Sequence, residues 1–234
     1  MTIDTKEPII LSIGGSLIVP ANGINTSFLI KFNEFIRQHV QKGRKFFLIT
    51  GGGSTARNYI DGAKKIVSNL TDEELDWLGI RATHLNAHLL QTILRDIAHP
   101  KIIDNYEKKI EDWHESVIIG AGWKPGWSTD YDAVVVARDY NISTIINLSN
   151  IDWVYDKNPH EYSDAKPFEK ISWQQMQELV GSDWTPGENI PFDPKATKLA
   201  SEIGITVVIT NGEDLANVSS IIDGNTYKGT TITS

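Results

Sequence analysis

Two glycine-rich stretches are the first places where this chain could hold an anion. Gly14-Gly15-Ser16 and Gly51-Gly52-Gly53-Ser54 each follow a short apolar run. Without a Cβ, successive backbone N–H groups can close on a phosphate at the start of a helix. Ordinary strand-to-helix turns also contain glycine, but consecutive glycines exceed what a turn needs. Arg57 falls one turn beyond the triple glycine. There a guanidinium either adds a charge-assisted fork to the backbone cradle or sits in a surface ion pair. Neither G-x-x-x-x-G-K-[ST] nor G-x-G-x-x-G occurs, so the P-loop and dinucleotide readings lose their main support.

Other residues leave alternatives open. Asp130, Asp152, Asp156 and Asp193 fall near expected element ends. Carboxylates there organise lysines and Mg2+, or cap helices, and spacing alone does not separate the two. His84 and His88 are spaced as a zinc pair on a helix, but the Glu of H-E-x-x-H is missing and no third ligand is evident. Packing or an interface is the better reading for that pair. Of the seven tryptophans, Trp123, Trp127 and Trp153 sit in motif-like places. Packing suits Trp123, while packing and stacking on a nucleotide base both remain open for the other two.

The elements that must position these groups alternate between strand and helix. Buried strands are expected at 8–13, 46–49, 117–119, 144–148 and 207–209. Thr26 or Ser27 could cap a helix that presents Phe28, Phe32, Phe35, Ile36 and Val40 on one face, with Gly43 as its stop. Further helices are expected from Ser54 to about Val67, from a capping box at Thr71-Asp72-Glu73-Glu74 to about Ile97, and from Ala133 to Tyr140. A helix is expected on each side of the 207–209 strand, and residues 156–170 read as a long polar loop. This alternation predicts an α/β fold with a mainly parallel sheet covered on both faces. A soft lobe boundary falls near residues 140–145.

The bulk numbers narrow the function. A chain of 234 residues with 40% hydrophobic content supports one large domain or two closely joined lobes. Its net charge of −8 disfavours a broad nucleic-acid-binding face, although local donors can still bind a nucleotide. There is no cysteine, so disulfides and thiolate metal sites are excluded. The opening MTIDTKEP has no apolar h-region, and no run approaches the ~18 residues of a membrane span. The expectation is a cytoplasmic protein with no membrane or nucleic-acid partner.

Taken in order, these segments resemble the UMP kinases of the amino acid kinase superfamily, over nearly the whole chain and in an archaeal style. Residues Ile13-Gly14-Gly15-Ser16-Leu17-Ile18-Val19-Pro20 resemble the first phosphate loop, and Thr50-Gly51-Gly52-Gly53-Ser54-Thr55-Ala56-Arg57 the second glycine loop. Asp76, Gly79, Ala82, Thr83 and Asn86 match D-x-x-G-x-x-A-T-x-x-N, the family's UMP-binding helix segment. Pro125 to Asp130 is similar to the loop ending in T-T-D. Asn150-Ile151-Asp152-Trp153-Val154-Tyr155-Asp156 follows N-V-D-G-V-Y-D, with Trp153 in place of the glycine. Phe192-Asp193-Pro194 with Ala196 and Lys198 resembles the late catalytic segment, and Gly229 to Ile232 the closing strand.

The resemblance implies a three-layer αβα sandwich forming a single domain, 1–234, with an acceptor lobe at 1–143 and an ATP lobe at 144–234. It implies that Gly52, Gly53, Arg57 and Thr129 hold the phosphate of UMP and that Asp76 holds the ribose, with Gly79, Thr83 and Asn86 completing that side. Gly14, Gly15 and Ser16 would line the transferring phosphoryl. Asn150, Asp152, Tyr155 and Asp156 would meet ATP. Asp130 and Asp193 would organise lysines and Mg2+, and Lys195 or Lys198 would stabilise developing charge. Ser12 stands where many members carry a lysine, and Lys195 could supply that charge. The resemblance also implies a homo-oligomer, often a hexamer. The competing readings are another small-molecule kinase of this fold and a non-catalytic nucleotide or oxyanion binder.

Overall fold

The computed structural model describes residues 7–159, 161–181 and 190–234. The polar residues 1–6, read above for a leader, lie outside the described residues. The first half runs β1 (Ile9–Ile13), α1 (Gly15–Ile18), α2 (Thr26–Gln41), β2 (Phe46–Thr50), α3 (Gly53–Ile66), α4 (Asp72–Ile93), β3 (Val117–Gly120) and α5 (Thr129–Tyr140). The second half runs β4 (Thr144–Ser149), β5 (Val154–Tyr155), β6 (Pro167–Phe168), β7 (Lys170–Ser172), α6 (Trp173–Val180), α7 (Pro194–Ile203), β8 (Thr206–Asn211), α8 (Leu215–Ile222) and β9 (Thr230–Thr233).

Seven strands form one sheet in the order β3-β2-β1-β4-β8-β9-β7. The first five of these are mutually parallel, and β9 runs antiparallel to β8. Runs such as Ile-Ile-Leu-Ser-Ile and Phe-Phe-Leu-Ile-Thr are buried at every position, because helices cover both faces. Phe28, Phe32 and Ile36 of α2, Leu90 of α4 and Val218 of α8 fill the core on one face. Val134 of α5, Trp173 and Met176 of α6, and Ala196 and Ala200 of α7 fill the other. The result is the expected three-layer αβα sandwich. The boundary expected at residue 143 falls just before β4, whose ladders join β1 on one side and β8 on the other, so one sheet runs through both halves. Among the described residues, no helix is long and apolar enough to cross a membrane.

Several local expectations shift. Helix α2 is capped by Asn25, whose Oδ1 accepts from the Phe28 amide at 3.1 Å, rather than by Thr26 or Ser27. Helix α5 starts at Thr129, four residues before its apolar stretch, because Ser128 caps it by accepting from the Tyr131 amide at 3.1 Å. Helix α4 does begin in the capping box at Thr71, but it stops at Ile93.

Chain order reverses beside β1: the path proceeds through β2 and β3 on one side and through β4 and β8 on the other. In open α/β sheets, ligands bind outside the carboxyl ends of strands at such a switch point. Both glycine turns lie there, and they touch each other through their backbones. A Cβ added to Gly15 would lie 2.0 Å from the Gly53 nitrogen and 2.7 Å from the Gly51 carbonyl carbon. A Cβ on Gly53, whose φ is +64°, would lie 2.4 Å from the Gly15 oxygen. The glycines therefore let two turns meet, a requirement that sequence reading attributed to phosphate approach alone.

Replacing Gly15 by alanine is expected to be severe, because backbone rather than a flexible side chain meets the new carbon. We expect a loss of at least about 3 kcal/mol in urea unfolding, or no soluble protein. Gly62, inside α3, has nothing within 4 Å of an added Cβ. Gly62→Ala should instead raise stability by about 0.5–1 kcal/mol through helix propensity.

Candidate functional site

A cavity of about 320 Å3 opens at the switch point. It is lined by Gly15 from the first glycine turn, by Gly51, Gly52, Gly53 and Arg57 from the second, and by Asp76, Gly79, Ile80 and Thr83 of α4. The opposite wall is Gly122, Trp127, Ser128, Thr129, Asp130 and Asp132, and Asp193 completes it. Seven of the eight residues expected on the acceptor side thus line one cavity: Gly52, Gly53, Arg57, Asp76, Gly79, Thr83 and Thr129.

The eighth, Asn86, lies buried behind that wall. Its Nδ2 donates to the Gly51 carbonyl at 2.7 Å, so it shapes the second glycine turn from below. Thr50 works beside it: its hydroxyl bonds the carbonyls of Thr83 (3.1 Å) and Gly120 (3.2 Å). The first turn is tied to the second at the rim, where Arg57 donates to the Ser16 hydroxyl at 3.3 Å. Gly14 is held through its amide, which donates to the Leu148 carbonyl at 2.8 Å. Helix α3 starts at Gly53 without any side-chain cap; the Ser54 amide of its first turn donates to the Val19 carbonyl at 2.8 Å, and the positive end of the helix dipole lies at the glycine turn that lines the cavity.

The loop between β3 and α5 closes the far wall. The Gly126 amide donates to Asp76 Oδ2 at 2.7 Å, and the Gly126 carbonyl accepts from Lys195 Nζ at 3.1 Å. Trp127 packs edge-on against Trp123 at 4.9 Å and against Tyr131 at 4.6 Å, and Lys124 lies over both indoles. Packing therefore holds Trp127 while it lines the cavity. His84 bonds the Gly122 carbonyl through Nε2 at 2.7 Å, a structural use, and His88 is exposed.

Three aspartates meet at the base. Asn147 donates to Asp130 Oδ1 at 2.7 Å, the Ser12 hydroxyl approaches the same atom at 3.5 Å, and the Asp193 amide donates to Oδ2 at 3.2 Å. Burial, then the neighbouring Asp193, pushes the Asp130 carboxyl up to about 7. Asp193 caps α7 by accepting from the Ala196 amide at 2.7 Å. Burial also raises its carboxyl, against the pull of that amide, the Ser128 hydroxyl and Lys195. Asp132 is fully buried, and neither of its carboxyl oxygens has a hydrogen-bond partner. Burial drives it well above the ordinary carboxylate range, and Asp130 and Asp193 add to that. Sequence reading missed Asp132, whose only signal was an acid on the inward face of an apolar helix.

The remaining expected residues lie elsewhere. Lys195 and Lys198 are exposed on α7 and do not line the cavity. The expected nucleotide set, Asn150, Asp152, Tyr155 and Asp156, lies past the end of β4 and outside the cavity. Asp152 accepts from Asn211 at 3.0 Å, and Asp156 accepts from the Lys166 amide at 2.8 Å, closing the β5–β6 hairpin. Thr230 of β9 anchors that hairpin by accepting from the Val154 amide at 2.8 Å. Trp153 is half-buried beside it. Among the described residues, no three acidic or imidazole groups converge on a metal position.

The model of the amino acid kinase family matches residues 7–211, and the chain belongs to that family. It is 37% identical over 202 residues to a uridylate kinase from Staphylothermus marinus, covering 86% of this chain and 89% of that one. It is 33% identical over 219 residues to a uridylate kinase from Sulfurisphaera tokodaii, covering 92% and 95%. A crystal structure of uridylate kinase from Archaeoglobus fulgidus matches with a TM-score of 0.81 at 29% identity, covering 97% of this chain and all of that one.

The raised Asp130 carboxyl makes stability depend on pH in a defined direction. Between its unfolded value near 4 and its folded value of about 7, the native state holds a proton that the unfolded chain releases. Its contribution to stability is therefore lost as pH rises through that window. Asp130 keeps some surface on the open cavity, which reduces the effect to about 2 kcal/mol. Melting of the ligand-free protein from pH 4.5 to 8 should show a shallower decline in Asp130→Asn than in the wild type. Parallel profiles would refute the assignment.

Proposed function

We propose that this chain transfers the γ-phosphoryl group of ATP to UMP, giving UDP and ADP. The observation that carries the reading is the single cavity that joins an anion-binding end, a sugar-facing carboxylate and a transfer end. At the first end, the positive end of the α3 dipole and Arg57 would meet a phosphate. On one wall, Asp76 Oδ2 holds the Gly126 amide, and the same carboxylate is placed for ribose hydroxyls. At the transfer end stand Gly15, Asp130 and Asp193.

Phosphoryl transfer asks a protein chiefly for position and for compensation of charge. A phosphate oxygen of UMP attacks the γ-phosphorus in line, and the bond from that phosphorus to the leaving ADP oxygen breaks. The attacking oxygen is already ionised, so no general base is needed. Thr129, at the start of α5, would hold the acceptor phosphate from the side opposite Gly52 and Gly53. Gly14, Gly15 and Ser16 would border the phosphoryl in flight. Asn150, Asp152, Tyr155 and Asp156 would receive ATP across the end of β4. Lys195 and Lys198, from exposed positions on α7, would supply long-range positive charge. Mg2+ would arrive with the nucleotide phosphates, in keeping with its preference for few protein ligands, and supplies charge neutralisation there. This reading puts the protein in the cytoplasm as a homo-oligomer, hexameric by family resemblance, with UMP and ATP as its small-molecule partners.

ADP release with Mg-ATP and UMP tests the proposal directly. We expect turnover that requires UMP and vanishes on removal of Mg2+. Arg57→Ala should raise the KM for UMP by about 10- to 100-fold while the KM for ATP stays within about 2-fold, since a charged phosphate contact is worth roughly 1.5–3 kcal/mol. Nucleotide binding without turnover would instead indicate a non-catalytic binder, with Ser12 in the lysine position as its cause.

A further inference from the structure

One group in the cavity has no role in the reading above. Asp132 is 0% exposed, lines the cavity, and carries two carboxyl oxygens without a hydrogen-bond partner. A buried polar group left unpaired costs about 1–3 kcal/mol.

The surroundings of Asp132 indicate what could pair with it. The phosphate end of the cavity is Gly52, Gly53 and Arg57, and the sugar side is Asp76. The rest of the lining includes Ile80, Thr83, Gly122, Trp127 and Asp132. An indole and an isoleucine there suit the faces of a planar ring. The hydroxyl and carbonyl groups of that lining are already engaged. The Thr83 hydroxyl donates to the Ile80 carbonyl at 2.7 Å and accepts from the Gly122 amide at 2.8 Å. The Gly122 carbonyl is bonded by His84 at 2.7 Å. The nearby Tyr106 hydroxyl donates to the Ala121 carbonyl at 3.0 Å. A planar heterocycle entering here would find in Asp132 a side chain with both carboxyl oxygens unengaged.

We propose that Asp132 reads the hydrogen-bonding edge of the acceptor's pyrimidine base, making it a specificity-determining residue of the cavity. The inference rests on the pyrimidine-nucleotide reading given above. A carboxyl that keeps its proton offers one donor and one acceptor side by side. Uracil presents the complementary pair in its N3–H and O4. Asparagine also offers a donor beside an acceptor, whereas valine fills similar space and offers neither.

The experiment is a cycle of two residues and two acceptors. Wild type, Asp132→Asn and Asp132→Val are each assayed with UMP and with ribose 5-phosphate, which lacks the base. Where ribose 5-phosphate turns over too slowly, its inhibition constant against UMP replaces kcat/KM. We expect Asp132→Val to lower kcat/KM for UMP by about 10- to 100-fold. Its values for ribose 5-phosphate should stay within about 3-fold of wild type, because that acceptor never meets the residue. Asp132→Asn should keep most of the UMP activity. The melting temperature of Asp132→Val should not fall, since no hydrogen bond is lost. Equal losses with both acceptors would overturn the proposal, because they would mean that Asp132 acts through the fold. Unchanged UMP kinetics in Asp132→Val would overturn it as well. A wild type that does not phosphorylate UMP would refute the functional reading itself and this inference with it, whereas an active wild type with an indifferent Asp132→Val refutes only the inference.

Discussion

The site depends on the contact between two glycine turns. The strands β1 and β2 are neighbours in one parallel ladder, and their carboxyl ends deliver Gly15 and Gly53 to the same point. The distances leave no room for a Cβ on either turn. This contact fixes where α3 begins, and so where its uncapped N–H groups point. The position of Arg57 follows, since it sits one helical turn along the same element. Asn86 and Thr50 then brace the second turn from the core side with buried hydrogen bonds. An anion site built this way is pre-organised by the core, because loosening the turn would expose buried polar groups.

The opposite wall is organised by a different device. Gly126, at φ +80°, uses both its amide and its carbonyl to join α4 to α7 through Asp76 and Lys195. The aromatic group of Tyr106, Trp123, Trp127 and Tyr131 stiffens the same loop from behind. Lys195 thereby acts on the shape of the acceptor wall. Sequence reading had considered it only as a charge, replacing the lysine absent at Ser12. Ser12 itself is buried and faces Asp130.

How much of this was legible depends on the length scale of each signal. Runs of three to six residues announced β1, β2, β3, β4 and β8, because burial on both faces demands apolar sequence. The strands β5, β6 and β7 have two or three residues each and carry no periodicity, so none was read, and β6 fell inside the loop expected at residues 156–170. Helix α6 went unread despite its Ser172–Gln175 capping box, since eight residues give barely two turns of pattern. Within the site, the residues gathered by local motifs line one cavity, while Asn86, expected with them, bonds the Gly51 carbonyl behind it. Asp132 was not found. Its significance lies in having no partner, and only the folded arrangement shows which groups around it are already engaged.

The charge balance explains how a chain of net charge −8 can accept a dianion beside three aspartates. Three ionised carboxylates at the cavity base would repel both phosphates in a region of low dielectric. Burial raises all three carboxyls, and repulsion between neighbours adds to the rise at Asp130 and Asp132, which weakens that repulsion of the phosphates. Protonated carboxyls are also donors, and ionised ones are not. The same desolvation that suppresses negative charge at the base therefore turns acceptor-only groups into groups that can meet a phosphate or a base edge. An acidic exterior and an anion-receiving interior are compatible here because the fold decides which of its acids are charged.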